Sequence, residues 1–299
     1  MYQISNEPFE GFKRHAVEQA NYDSLCRYLT SGQVSFFVGN GFSRFSGAPS
    51  WEHLVRHSNI DIFRQYNIDY ESESLLELCD FLHTDQILAF ESSVIEKMRR
   101  YVEATQSASY DSYSYAQKAF ATLVRLCILI NPQSRVYTAN VDYNLERCGI
   151  ARNNIEYIHG EPGNPSGWIF SGKQYWENYR KRHDADYFDS MQKSHVILYF
   201  GYGHSYEDFD IIEAHNKAVS VNEKTWAYTI IPWSEARRNH LGMRLTSLRI
   251  KPITIPCPPN VSNKARDLLT AKFFIELDTS NNRDFWRGLT AFGETRASA

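Results

Sequence analysis

The stretch that decides the fold is Val34-Ser35-Phe36-Phe37-Val38, followed at once by Gly39-Asn40-Gly41-Phe42-Ser43-Arg44. A short β-branched and aromatic run that meets a glycine-bounded turn reads as a strand ending in a tight turn. The run does not alternate polar with apolar residues. It therefore reads as a strand buried on both faces, as in a parallel sheet with helices on each side. Further runs repeat the pattern: 135–139 into Asn140, 155–158 into His159-Gly160, 195–200 into Gly201-Tyr202-Gly203-His204-Ser205, 226–231 into Pro232, and 252–255 into Pro256.

Between these runs lie helical patterns. Leu75, Leu76, Leu78, Cys79 and Leu82 share one helical face, and Ala116, Ala119, Phe120, Leu123, Val124 and Cys127 share another. Strands alternating with helices imply an α/β fold, a Rossmann-like doubly wound parallel sheet. Residues 39–134 are too many for one crossover helix, so a helical subdomain inserted over 52–130 is expected within a single domain of residues 1–290. Residues 107–115 read as an exposed loop and 291–299 as a frayed tail.

Composition excludes several classes. The 32 Lys+Arg stand against 35 Asp+Glu, a formal net charge of −3, and a protein that coats nucleic acid needs a basic excess. Direct nucleic-acid binding is not expected. The most apolar stretch, 121–130, is about half the roughly 20 residues a bilayer span needs, and it contains Arg125. The first fifteen residues lack the apolar core of a secretory signal, so a cytoplasmic protein is expected, with no membrane association. Five cysteines (Cys26, Cys79, Cys127, Cys148 and Cys257) are scattered without a CxxC pair. They read as buried thiols rather than a disulfide framework or a zinc site. No HxH or HExxH cluster points to a metal. The 14% aromatic content suits a packed core and interface anchors, and names no activity.

Open parallel sheets bind ligands beyond the carboxyl ends of their strands, and here those ends carry the polar residues and glycines. Gly39 and Gly41 are expected to let the backbone approach a ligand, and a helix starting beside them to aim N–H groups at phosphate oxygens. The third glycine of the dinucleotide fingerprint is replaced by Arg44. That arginine is either a fixed cation for a pyrophosphate or an exposed residue on a tight turn.

The segment Gly39 to Trp51 resembles, in register and without gaps, the sirtuin motif GAGxSxxxGIPDF. Thr138-Ala139-Asn140-Val141-Asp142 resembles the TxNxD element of that superfamily, Ile158-His159-Gly160 its catalytic HG, and Gly201-Tyr202-Gly203-His204-Ser205 its later Gly-Tyr/Thr-Ser turn. All four stand in the family's order. The departures are specific. The two CxxC pairs of the deacetylase zinc module are missing, Ser50-Trp51-Glu52 stands where DFR follows the proline, and Ala139 replaces the Gln before the asparagine. With these departures the chain is similar to the zinc-less sirtuin-like domains of bacterial anti-phage systems, which hydrolyse NAD to ADP-ribose and nicotinamide and so starve an infected cell.

The resemblance implies an NAD glycohydrolase acting in abortive infection, with NAD as substrate and no metal. It implies Asn140 and His159 as catalytic residues. NAD would be bound by Gly39, Asn40, Gly41, Phe42, Ser43, Arg44, Trp51, Asp142, Gly201, Tyr202 and Ser205. Asn140 would position the attacking water and the ribose hydroxyls, since a carboxamide donates and accepts hydrogen bonds without titrating; an asparagine there equally caps a helix from Val141 onward. His159 would be the general base, because imidazole as a residue type titrates close to working pH. It ends an apolar strand, and Gly160 is expected to leave space for substrate; His204 is its rival. Asp142 would hold the ribose or the nicotinamide carboxamide, or else complement a helix dipole from the first turn. Trp51 would wall the nicotinamide side or sit in the core.

A domain that fills nearly all of 299 residues is expected to take its sensor from elsewhere: a homo-oligomer joined to a HerA-type ATPase, or in second place to an Argonaute. Two other readings use the same site. A sirtuin-type protein deacylase or ADP-ribosyltransferase would release nicotinamide only when supplied with its acceptor, and a non-catalytic NAD or ADP-ribose-binding module would bind without consuming.

Overall fold

A computed structural model describes residues 16–84, 90–181, 196–202, 209–221, 226–232, 245, 247–255 and 261–279. Gly203, His204, Ser205, Cys257 and the 291–299 segment lie outside the described residues.

Among the described residues six strands form the sheet: β1 (Val34–Val38), β2 (Val136–Thr138), β3 (Ile155–Tyr157), β4 (Val196–Phe200), β5 (Trp226–Pro232) and β6 (Ile250–Ile255). Their order is β3-β2-β1-β4-β5-β6, and every neighbouring pair is parallel. This is the Rossmann-like doubly wound arrangement that the run-and-turn pattern implies. β1 sits at its centre, with Phe36 opposite Val136 on one side and Leu198 on the other.

Alternate side chains of β1 enter different cores, which is why its sequence shows no polar face. Phe36 and Val38 join a cluster with α1 (Ala16–Thr30), α7 (Tyr115–Ile130) and α11 (Asn263–Thr279), where Phe120 packs 4.9 Å from Phe200 and 5.3 Å from Phe274 between ring centroids. Phe37 joins Tyr137, Ile158, Ile197 and Tyr199 on the opposite face, covered by α10 (Phe209–Val221) through Ala218 and by Leu245 and Leu248.

The third core lies over the carboxyl ends of the strands. It gathers α3 (Trp51–Val55), α4 (Ile60–Gln65), α5 (Leu75–Leu82) and α6 (Glu96–Ser107), together with Val141, Trp168 and Phe170. Of the span 52–130, residues as far as Val102 build this cluster, whereas α7 packs on the sheet. Both α5 and α7 begin with capping boxes, Ser74 with Glu77 and Ser114 with Gln117, so side chains satisfy donors that a helix start leaves open. Asp267 on α11 adds two acceptors for α7, at 3.1 Å from Tyr115 N and 2.7 Å from Ala116 N. In the 107–115 segment, Tyr110–Ser112 is an exposed turn but Tyr113 is buried. Cys26, Cys79, Cys127 and Cys148 are buried.

Candidate functional site

The strand order reverses between β1 and β4, the switch point at which open α/β sheets leave a crevice. Here two turns meet. Gly39 N donates to Phe200 O at 3.0 Å and Gly41 N to Gly201 O at 2.7 Å. Gly201 has a φ of +67°, and a Cβ there would lie 2.4 Å from Phe42 N; one on Gly39 would lie 2.6 Å from Gly201 O. These glycines are required because two backbones touch.

The expected phosphate-binding helix is also reduced. α2 (Asn40–Ser43) is a single turn, and its Gly41 and Phe42 amides are already bound to Gly201 O and Gly39 O. Phe42 is wholly buried against Phe120 and Phe200. Arg44 is exposed and outside the cavity lining, the second of its two sequence readings.

Beyond the strand ends is a cavity of about 280 Å³. From the sheet it is lined by Gly39, Asn40, Asn140, Asp142, His159, Gly201 and Tyr202, and from the inserted helices by Trp51, Leu54, Leu75, Leu76 and Met98. Phe170 and Tyr175 close the remaining side. Of the residues the sequence nominated, Gly39, Asn40, Trp51, Asn140, Asp142, His159, Gly201 and Tyr202 converge on it. Gly41, Phe42, Ser43 and Arg44 do not line it, and Ser205 lies outside the described residues.

Asn140 is not a helix cap, because the next helix, α8 (Asn144–Arg147), starts four residues later with Tyr143 as its N-cap. Its backbone N instead donates to Thr138 Oγ1 at 3.0 Å, and Thr138 Oγ1 donates to Val38 O at 2.8 Å. Its Nδ2 donates to Gly39 O at 3.1 Å and Ser43 Oγ at 2.9 Å. A carbonyl only accepts, so the atom against Gly39 must be the nitrogen, and the amide orientation is fixed. Both of its hydrogens are used. Toward the cavity Asn140 therefore offers only Oδ1, an acceptor.

Asp142 is almost fully buried, at 2% exposure. Its Oδ1 accepts from Asn144 N at 3.0 Å, while Oδ2 has no hydrogen-bond partner. Burial pushes its carboxyl up to about 6, against the Ser43 and Asn144 contacts that hold it down. Behind it the Tyr157 hydroxyl lies 3.0 Å from Asp142 O and 2.5 Å from Glu146 Oε2, its one hydrogen shared between the two acceptors.

His159 stands two residues beyond the end of β3 and is 3% exposed. Its carbonyl accepts from Ile169 N at 3.0 Å, and this bond returns the chain across the site. Tyr175 on α9 (Gly172–Lys181) then stands edge-on to the imidazole, with centroids 5.0 Å apart and its hydroxyl 3.5 Å from Nδ1. Gly160 does not open space for a ligand. It has a φ of +103°, and a Cβ there would lie 2.4 Å from Gly167 O, so its lack of a side chain admits the returning chain.

Trp51 takes both of its expected roles. It packs on the third core, with its ring 4.9 Å from that of Phe170, and it lines the cavity. Tyr175, Phe170 and Met98 were not nominated from the sequence. Leu75 and Leu76 were visible there only as a helix face. Phe170 and Tyr175 carry no motif, and they reach the site through the Ile169–His159 bond and the start of α9. There Gln174 Oε1 accepts from Phe170 N at 2.8 Å and Ser171 N at 3.0 Å, and Asp80 of α5 accepts from Lys173 N at 3.2 Å.

The cavity thus has an apolar shell and a polar floor of one fixed acceptor, one buried carboxyl and one imidazole, with no Lys or Arg among its described lining. Among the described residues no group of three or more His, Cys, Asp or Glu is placed to hold a metal ion. No helix among them is long and apolar enough to cross a membrane. No protein-family model matches the chain, and no curated protein matches it.

Proposed function

We propose that this cavity hydrolyses the nicotinamide–ribose bond of NAD, releasing nicotinamide and ADP-ribose. The observation that carries the reading is the convergence of Asn140, Asp142 and His159, from the ends of neighbouring strands, on one largely apolar cavity at the sheet's switch point. About 280 Å³ is at the small end of ligand pockets, and it suits the nicotinamide–ribose end of the dinucleotide rather than the whole. The leaving base departs neutral while positive charge grows on the ribose, and a floor of amide oxygen, carboxyl and imidazole, with no Lys or Arg among its described lining, favours that charge.

Each residue has a defined part. Asn140 Oδ1 accepts a hydrogen bond from the attacking water or a ribose hydroxyl, in an orientation fixed by its bonds to Gly39 and Ser43. His159 removes a proton from the same group. Asp142 accepts from the ribose or from the carboxamide of the base. Trp51 and Phe170 flank the ring and keep bulk water out. The wider role, a toxic effector of anti-phage defence held by a partner such as an ATPase or an Argonaute, is supported by the motif resemblance alone.

The test is incubation of the purified chain with NAD and chromatography of the products. Nicotinamide and ADP-ribose should appear in equal amounts without any acyl-lysine peptide, and Asn140→Ala and His159→Ala should abolish release while circular dichroism stays unchanged. Full activity in both variants overturns the reading. Release only with the peptide selects the deacylase or transferase, and calorimetric binding without consumption selects a binding module.

A further inference from the structure

On the face of the sheet opposite α7, Tyr199 of β4 and His215 of α10 are both almost fully buried, and the Tyr199 hydroxyl lies 2.9 Å from His215 Nδ1. On the other side of the ring, His215 Nε2 lies 2.7 Å from Leu248 O, just ahead of β6. A carbonyl only accepts, so Nε2 carries the hydrogen and Nδ1 of the neutral ring accepts from Tyr199. Burial pushes the imidazole below its usual range, which keeps it neutral.

The chain of contacts continues to the cavity. The Tyr199 ring stacks on Tyr202, with centroids 5.7 Å apart and planes at 28°, and both rings lie against Phe37, at 5.3 Å and 5.0 Å. Tyr202 lines the cavity, directly after Gly201 at the switch point. None of these residues belongs to the Asn140–Asp142–His159 floor, so hydrophobic packing alone does not explain a buried, fully oriented Tyr–His–carbonyl chain at this place.

We infer that Tyr199 and His215 form a positioning pair that sets Tyr202 as the β4 wall of the cavity, and so governs how tightly the ligand is held rather than how fast it reacts. The pair fixes the Tyr199 ring, the ring fixes Tyr202, and Tyr202 touches ligand without reaching the strand ends that carry the chemistry. The inference rests on the cavity taking NAD as its ligand.

The variants separate this role from general support of the fold. Tyr199→Phe keeps the ring and removes the hydroxyl. His215→Gln keeps a donor for Leu248 O and loses the acceptor for Tyr199, whereas His215→Asn keeps an amide oxygen at the Nδ1 position. Tyr199→Phe and His215→Gln should raise the KM for NAD about tenfold, the value of one lost hydrogen bond, and leave kcat within about twofold. The double variant should be no worse than either single one. His215→Asn should restore KM to within about threefold of the parent chain.

Amide exchange over Phe200–Tyr202, read by mass spectrometry without ligand, should quicken in the first two variants and not in His215→Asn. Equal KM in all the proteins, or equal exchange in all of them, overturns the inference. If the parent chain consumes no NAD, the reading of the site fails on its own account, and the exchange rates still decide whether the pair holds Tyr202.

Discussion

Asn140 Nδ2 donates to the Gly39 carbonyl at 3.1 Å, which ties the end of β2 to the end of the neighbouring β1 and spends the donor side of the asparagine on the fold. The side chain that resembles a catalytic residue is thereby a structural clamp as well. Its function in the cavity reduces to one oxygen whose direction is set by Gly39 and by Ser43 at 2.9 Å.

Ser43 is accordingly expected to matter without touching ligand. Ser43→Ala removes one of the two bonds that aim Asn140 and leaves the cavity lining intact. Steady-state kinetics should show kcat for NAD hydrolysis lowered about tenfold with KM nearly unchanged. An unchanged kcat would remove Ser43 from the positioning of Asn140.

Arg44 provides the opposite expectation. It is exposed on the turn and does not line the cavity. Arg44→Ala should change stability by no more than about 0.5 kcal/mol and KM by less than about twofold. A large rise in KM would restore the arginine as a pyrophosphate partner.

The meeting of the two turns has its own signature. Gly201→Ala combines a left-handed backbone with a Cβ 2.4 Å from Phe42 N, and it should cost at least about 2 kcal/mol in urea denaturation without ligand. Gly47→Ala is the control. Its φ is +81° but nothing lies within 4 Å of the added Cβ, so only the backbone cost of about 1–2 kcal/mol applies. Equal losses would mean that close packing at Gly201 contributes nothing.

Asp142 predicts a pH dependence. Its folded value of about 6 lies above the ordinary 3.8, so between these values the folded chain holds a proton that the unfolded chain has released. Stability should then fall as pH rises from about 4 to about 6 and stay level above, by at most about 3 kcal/mol from this group. Asp142→Asn keeps the Oδ1 acceptor for Asn144 and should flatten that slope, with a higher urea midpoint than the parent at pH 8. A midpoint no higher at pH 8, with the slope unchanged, would mean that the carboxylate is not strained by burial.

The cysteines allow a test of the packing itself. Cys26, Cys79, Cys127 and Cys148 are buried, and burial pushes the Cys148 thiol up to about 12. An alkylating reagent at pH 8 should leave all four unlabelled in peptide mass maps until denaturant is added. Labelling of Cys148 in the native chain would contradict the core described around it.

The sequence by itself determined the sheet. Each strand is a short run of β-branched and aromatic residues stopped by a turn, and a run buried on both faces has few other ways to satisfy its backbone. The same local logic placed Asn140, Asp142 and His159 at strand ends. Tertiary structure decided which strand ends are neighbours, because the order β3-β2-β1-β4-β5-β6 depends on contacts far apart in the chain. It also decided what the glycines are for. Gly39 and Gly41 read locally as room for a ligand, and Gly160 as room for substrate, but a side chain at each would meet another segment of backbone. Tyr175 against His159 and Tyr199 against His215 arise in the same way. In each case the two residues belong to different elements, and only packing of the whole chain brings them into contact.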